Sequence, residues 1–196
     1  MYEKTAVTFS GVSPRRVPVV SNAVLGTLMF VIIEAMLFAG LISAFLIVKT
    51  SALGAWPPPG QPRLPVGETA LNTVALLMSG ALLFVANRMF RADPARAKLP
   101  LLGAILLGAF FVTFQGIEWA ALLREGLTLT SSTHGSFFYL IVGMHALHAV
   151  AALVVLSCVW LLLHRARLNR NLFHGAQIFW YFVVGLWPIL YAQVYL

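Results

Sequence analysis

The chain has 196 residues, of which 60% are hydrophobic and only 10% are charged. Soluble globular proteins average about 45–50% apolar and about 25% charged residues, so this composition excludes a water-soluble domain and indicates a membrane protein. The net charge of +7 comes from 13 basic and 6 acidic residues, and because cytoplasmic loops of membrane proteins collect Lys and Arg, this excess does not by itself indicate nucleic-acid binding.

The N-terminal segment, residues 1–21, is polar. It has no apolar stretch followed by a cleavage site, so we expect a cytoplasmic tail and no signal peptide. The remainder, residues 22–196, is expected to form a single transmembrane domain. The only cysteine, Cys158, excludes an internal disulfide and a thiolate metal cluster.

Five apolar windows follow in chain order, and each is long enough to cross the hydrocarbon core as a helix. A proline-rich loop, a short charged turn, a polar loop and a basic loop separate them. We therefore predict an all-α integral membrane bundle of five transmembrane helices. The windows are approximately Asn22–Val48, Leu71–Asn87, Leu99–Leu123, Ser136–Leu163 and Phe173–Leu196.

The basic residues predict the orientation of this bundle. With a cytoplasmic N-terminus, three of them lie in the tail, four follow the second window and three follow the fourth, which places ten of the 13 inside. Only Lys49, Arg63 and Arg124 then lie outside. Because short cytoplasmic loops are enriched in Lys and Arg, we predict an inside N-terminus and an outside C-terminus, and no nucleic-acid partner.

Two acidic residues and two histidines fall within the predicted spans: Glu34, Glu118, His145 and His148. Glu34 lies 12 residues into the first span, about 18 Å along a helix and therefore near mid-bilayer. A carboxyl group at this depth either handles protons or contacts lipid and partner atoms, or it joins two helices through hydrogen bonds. The sequence leaves these interpretations open.

The two histidines are three residues apart, so they share one face of the fourth helix. We expect His148 to lie at the depth of Glu34 and His145 nearer the depth of Glu118, which would allow two carboxyl–imidazole pairs between helices. No second helix supplies a histidine at a matching depth, so the pattern does not favour a haem or metal site in this chain.

Small residues recur every four positions along the first span, at Ala35, Ala39 and Ser43. Such a stripe is typical of close helix packing, either within the chain or against a partner. Phosphate-binding loops, dinucleotide fingerprints and serine or zinc hydrolase motifs are absent from the sequence.

Six segments, taken in order, resemble subunit III of haem-copper respiratory oxidases, the cytochrome c oxidase subunit III family. The most specific is HGSFFYLIVGMHALHA at residues 134–149, with its G-x-H-x-L-H element. The others are FVIIEAMLFAGLI (30–42), WPPP (56–59), LNTVALLMSG (71–80), FQGIEWA (114–120) and FWYFVVGLW (179–187). The resemblance covers nearly the whole chain.

The resemblance implies the five-helix bacterial form of a non-catalytic subunit, a multi-pass protein of the cytoplasmic membrane. It implies that haem and copper reside in partner subunit I, with none in this chain, and that phospholipid is bound. In the family, the acid that matches Glu34 reacts with carbodiimide, and the subunit supports proton uptake and protects the catalytic subunit during turnover. Glu118, His145 and His148 also match motif positions.

The last helix departs from the family pattern Tyr-Trp-His-Phe-Val-Asp, because Tyr181 replaces the histidine and Val184 the aspartate. Pro188 is expected to kink this helix. These departures keep open an accessory subunit of a nitric oxide reductase, from the same family. A small transporter or channel is a further alternative, but five spans without an internal repeat do not fit it.

Overall fold

A computed structural model describes residues 21–52, 56–58 and 60–196 of the chain. These ranges contain five helices that are long and apolar enough to cross a membrane, and no strand. The predicted all-α membrane fold is therefore confirmed. The predicted tail, residues 1–21, lies outside the described residues except for Ser21.

The first four helices extend beyond the apolar windows that predicted them, whereas the fifth begins three residues before its window but ends at Leu190, before the window ends at Leu196. Charged and hydroxyl residues end an apolar window but not a helix, and at 30 residues the first helix is about 45 Å long, longer than a hydrocarbon core of about 30 Å. A 3₁₀ turn at Pro94–Ala97 precedes α3, and a π-helical turn at Tyr191–Tyr195 follows α5. The helices are α1 Asn22–Ser51, α2 Val66–Ala92, α3 Lys98–Arg124, α4 Thr133–His164 and α5 Arg170–Leu190.

Local hydrogen bonds explain where several of these helices begin and end. The Ser132 side chain accepts a hydrogen bond from Gly135 N at 3.0 Å, so α4 starts three residues before its apolar window. At the end of α3, Gly126 takes a positive φ of 92°, and Leu127 N donates to the Leu122 carbonyl at 3.0 Å. This is the Schellman arrangement, for which glycine is favoured.

Helices α2 to α5 form the centre of the bundle. The neighbouring helices α2 and α3 pack along their length, α4 packs against α3 and α5, and α5 also contacts α2. Position 108 of α3 favours glycine, because a Cβ there would come within 2.6 Å of the Trp180 ring of α5. Trp180 and Trp187 are completely buried between these helices.

Helix α1 lies at the edge of this bundle. It packs mainly against α5 and touches α4, and it buries only Phe38 and Phe45. Leu41, Ile42 and Leu46 are half-buried against the core, but many of its other large apolar side chains, such as Ile33 and Met36, are exposed. An apolar surface of this extent requires lipid or another membrane protein as its neighbour.

Candidate functional site

The principal site joins α1 to α4 through Glu34 and His148. Oε2 of Glu34 lies 3.0 Å from Nε2 of His148, and their side chains are only 16% and 10% exposed. The other ring nitrogen, Nδ1, lies 2.8 Å from the carbonyl oxygen of Met144, one turn earlier on α4. The sequence-based expectation that Glu34 and His148 approach one another agrees with this geometry.

These distances fix where hydrogen atoms are needed. A carbonyl oxygen only accepts hydrogen bonds, so Nδ1 of His148 carries a hydrogen that it donates to Met144. The 3.0 Å contact between Nε2 and Oε2 of Glu34 is a close approach of a base and an acid, but it lacks the alignment of a hydrogen bond. The contact places a group that can release a proton beside one that can accept it.

Aromatic rings enclose this pair. The His148 ring lies against Phe30, with centroids 6.2 Å apart, and meets the edges of Phe38, Phe179 and Phe182 at 5.6 to 6.3 Å. Two of these rings belong to α1 and two to α5. An apolar surround of this kind excludes water and strengthens the carboxyl–imidazole interaction.

The expected second pair, between Glu118 and His145, is not formed, and this expectation was wrong. Among the described residues, no hydrogen bond reaches either ring nitrogen of His145, and its ring stacks on Trp187 with centroids 5.1 Å apart. Helix α3 instead directs Glu118 toward Thr69 of α2. Depth alone does not determine which helix face a side chain occupies.

Glu118 belongs to a separate hydrogen-bond network at the end of the bundle where α2 begins and α3 ends. Its Oε2 accepts from Gln115 Nε2 at 3.0 Å and lies 3.1 Å from the Thr69 hydroxyl. Gln115 Nε2 also donates to the Tyr195 hydroxyl at 3.1 Å. This network connects α2, α3 and the π-helical turn, and its members are buried.

The sequence analysis missed the neutral polar residues on α2 that form hydrogen bonds with other helices. Asn72 donates to the Phe111 carbonyl at 3.1 Å. Thr73 and Ser79 accept from the indoles of Trp187 and Trp180 at 2.8 and 3.2 Å. The signal was present in the polar face formed by positions 69, 72, 73 and 79, but a search for ionisable residues does not detect uncharged ones.

The family-motif departures in α5 occupy different environments. Tyr181 is exposed on the outside of the bundle, whereas Val184 is buried. A Cβ at Gly80 of α2 would approach Val184 Cγ1 to 3.1 Å, so at position 184 an apolar side chain fills a close helix contact. Helix α5 continues through Pro188 to Leu190 and then changes to the π-helical turn.

The part of the chain that the structure describes contains no group of three or more histidine, cysteine or acidic side chains that could hold a metal ion. The ionisable side chains described above form two other arrangements, the contact of Glu34 with His148 and the hydrogen-bond network of Glu118. Both lie inside helices long enough to span a membrane.

Comparison with known proteins gives one consistent family. The family model described as "Cytochrome c oxidase subunit III" matches residues 5–196. The chain is 32% identical over 181 residues to "Probable cytochrome c oxidase subunit 3" of Nocardia farcinica, covering 87% of this chain and 85% of the relative. It is 32% identical over 203 residues to the protein of the same name from Mycobacterium leprae, covering 97% and 94%.

A fungal relative is longer than this chain. "Cytochrome c oxidase subunit 3" of Neurospora crassa is 31% identical over 180 residues, which are 87% of this chain but 66% of the fungal protein. The similarity thus extends to chains with additional sequence beyond the matched region.

Proposed function

The chain belongs to the cytochrome c oxidase subunit III family, and we propose that it supports proton uptake by its oxidase through the contact of the Glu34 carboxyl with the His148 imidazole. Its role is that of subunit III of a haem-copper oxidase, a membrane-embedded subunit of a complex with other oxidase subunits. The single observation that carries the proposal is the 3.0 Å contact between Oε2 and Nε2.

The proposed action of this pair follows from its chemistry. Carboxyl and imidazole groups exchange a proton over one hydrogen bond, so the pair passes a proton on when a second acceptor approaches and takes one up again from a donor. Phe30 and Phe179 lie beside His148 and limit the entry of water. We propose that Glu118 and His145 have a supporting role, in which they maintain the packing of α3 and α4 around the pair.

We propose that the catalytic subunit I, which would carry the haem and copper, covers part of α1. The small residues Ala35, Ala39 and Ser43 are all exposed in this chain, so the stripe does not serve packing within the bundle. Small side chains allow the backbone of a second helix to approach closely, which is how membrane helices associate without a hydrophobic driving force. Membrane lipids would cover the remaining apolar surface.

The proposed location is the bacterial cytoplasmic membrane, with the N-terminus inside. The nocardial and mycobacterial relatives support a bacterial membrane, and the distribution of basic residues supports the orientation. The reduction of oxygen by the complex, with electrons from cytochrome c or quinol, is also a proposal. The relatives described above are named as cytochrome c oxidase subunits, which favours oxygen over nitric oxide as the acceptor.

The experiment that tests this function is purification of the tagged chain from its native membrane. We expect it to bring with it a subunit that shows reduced-haem absorbance and oxygen consumption. Co-purification with nitric oxide reductase activity would favour the alternative accessory role, and a haem-free homo-oligomer would contradict both.

Two matched variants test the proposed contact on α1. Ala39→Leu places a bulky side chain in the small-residue stripe and is expected to reduce the haem recovered with the tagged chain. Ala151→Leu makes the same change at an exposed position of α4 and should leave haem recovery unchanged. Equal recovery with both variants would place the partner on another face.

A further inference from the structure

A cavity of about 150 Å³ lies where α3, α4 and α5 meet, and neither Glu34 nor His148 lines it. Its polar lining residues are Gln115 and Trp119 of α3 and His145 of α4, and the rest of its wall is apolar. Among the described residues, no Lys, Arg, Asp or Glu lines the cavity, so it is suited to a neutral ligand. Its volume is sufficient for several water molecules, each of which occupies about 30 Å³ in the liquid.

Buried polar atoms without a hydrogen-bond partner are concentrated in the residues of this cavity. His145 is only 1% exposed, and among the described residues neither of its ring nitrogens has a partner. Within the same part of the chain, Oε1 of Gln115 and Nε1 of Trp119 are also buried without a partner. Because the large majority of buried polar side-chain atoms in folded proteins bind either protein or ordered water, three such residues around one cavity indicate a ligand that they share.

The donors and acceptors of these three residues determine the chemistry of the ligand. The indole N–H of Trp119 only donates. Nε2 of Gln115 already donates to Glu118 at 3.0 Å and to Tyr195 at 3.1 Å, which leaves Oε1 of the same amide as an acceptor. A neutral imidazole, as in His145, offers one donor and one acceptor. The ligand must therefore both accept and donate at short range, as a buried water does with its typical three hydrogen bonds.

We propose that this cavity binds water molecules, which bridge His145 of α4 to Gln115 and Trp119 of α3. The imidazole is held at the cavity wall by its stack on Trp187, with centroids 5.1 Å apart. Because Gln115 also donates to Glu118, the bound water connects the Glu118 network to α4. Such water stabilises the packing of α3 against α4, since it pairs polar groups on both helices that are otherwise buried and unpaired.

The test measures the melting temperature of the purified complex after the cavity has been filled. Ala146 of α4 lines the cavity, so Ala146→Leu would displace the water and leave the three polar side chains unpaired. We expect the melting temperature to fall by about 2–4 °C, because unpaired buried polar groups are destabilising. Ala151→Leu is the matched control, because it makes the same change at an exposed position of the same helix and should leave the melting temperature nearly unchanged.

A second background separates the loss of water from overpacking. His145→Phe keeps an aromatic ring beside Trp187 but removes both ring nitrogens, so Ala146→Leu should lower the melting temperature much less in this background. An equal decrease in both backgrounds would overturn the proposal, because overpacking alone would then explain it. A rise in the wild-type background would overturn it too, because filling a dry cavity adds contacts and displaces nothing. Native mass spectrometry that detects an organic molecule bound to the wild type and lost in Ala146→Leu would also contradict it. These readouts are independent of proton uptake.

Discussion

Nε2 of His148 on α4 lies 3.0 Å from Oε2 of Glu34 on α1, while Nδ1 of the same ring faces the Met144 carbonyl at 2.8 Å. This arrangement places a side chain of the peripheral helix in direct contact with the centre of the bundle. Because α1 buries only Phe38 and Phe45, the pair is a substantial part of what positions this helix. The same contact thus has a structural and a chemical consequence.

The network around Glu118 predicts a contrast between two substitutions. Glu118→Gln keeps an oxygen that can accept from Thr69 and Gln115, so we expect the melting temperature of the purified complex to change little. Glu118→Leu removes that acceptor. The Thr69 hydroxyl can still donate to the Pro65 carbonyl and one Gln115 N–H to the Tyr195 hydroxyl, but the second Gln115 N–H is left buried and unpaired, and we expect a loss of about 1–3 kcal/mol. Equal melting temperatures for the two variants would show that the network does not contribute to stability.

The end of α4 predicts a stabilising substitution. Ala166 has a positive φ of 54° at the position where helices usually end in glycine, and Arg167 N donates to the Leu162 carbonyl at 2.9 Å. Ala166→Gly should relieve about 1 kcal/mol of backbone strain and raise the melting temperature. Ala151→Gly, the same change within α4, should lower it by a similar amount. A decrease in both variants would contradict this interpretation.

The orientation of the bundle predicts which loops are accessible from outside. In a Cys158→Ser background, Thr130→Cys places a thiol in the exposed loop before α4, and Ala95→Cys places one in the turn before α3. In right-side-out vesicles, a membrane-impermeant maleimide should label position 130 and not position 95. The reverse pattern would invert the proposed topology.

The sequence predicted the five helices well, because the bilayer imposes a length and a composition that a single chain displays directly. It also predicted the approach of Glu34 to His148, since residues at equal depth on neighbouring helices have few alternative partners. It failed for Glu118, whose partner is set by the rotation of α3 about its own axis. That rotation depends on packing, such as the close contact of Gly108 with Trp180, which composition does not reveal.

The neutral contacts of α2 were not predicted for a related physical reason. Asn72, Thr73 and Ser79 bind carbonyls and indoles of other helices, and such side chains also satisfy themselves within their own helix. Thr73, for example, donates to the Thr69 carbonyl at 2.7 Å while accepting from Trp187. Only the three-dimensional structure identifies which of these two uses applies.

The most direct test of the central claim compares proton uptake by the wild-type complex with that of Glu34→Gln. Glutamine retains the size of the side chain and the contact with His148 but does not release a proton, so assembly and haem content should be unchanged. We predict that sustained turnover and proton uptake fall by an amount on the order of tenfold, less than the loss of a group acting in the reaction itself. Unchanged turnover and proton uptake over many catalytic cycles would contradict the account and leave Glu34 with a structural role alone.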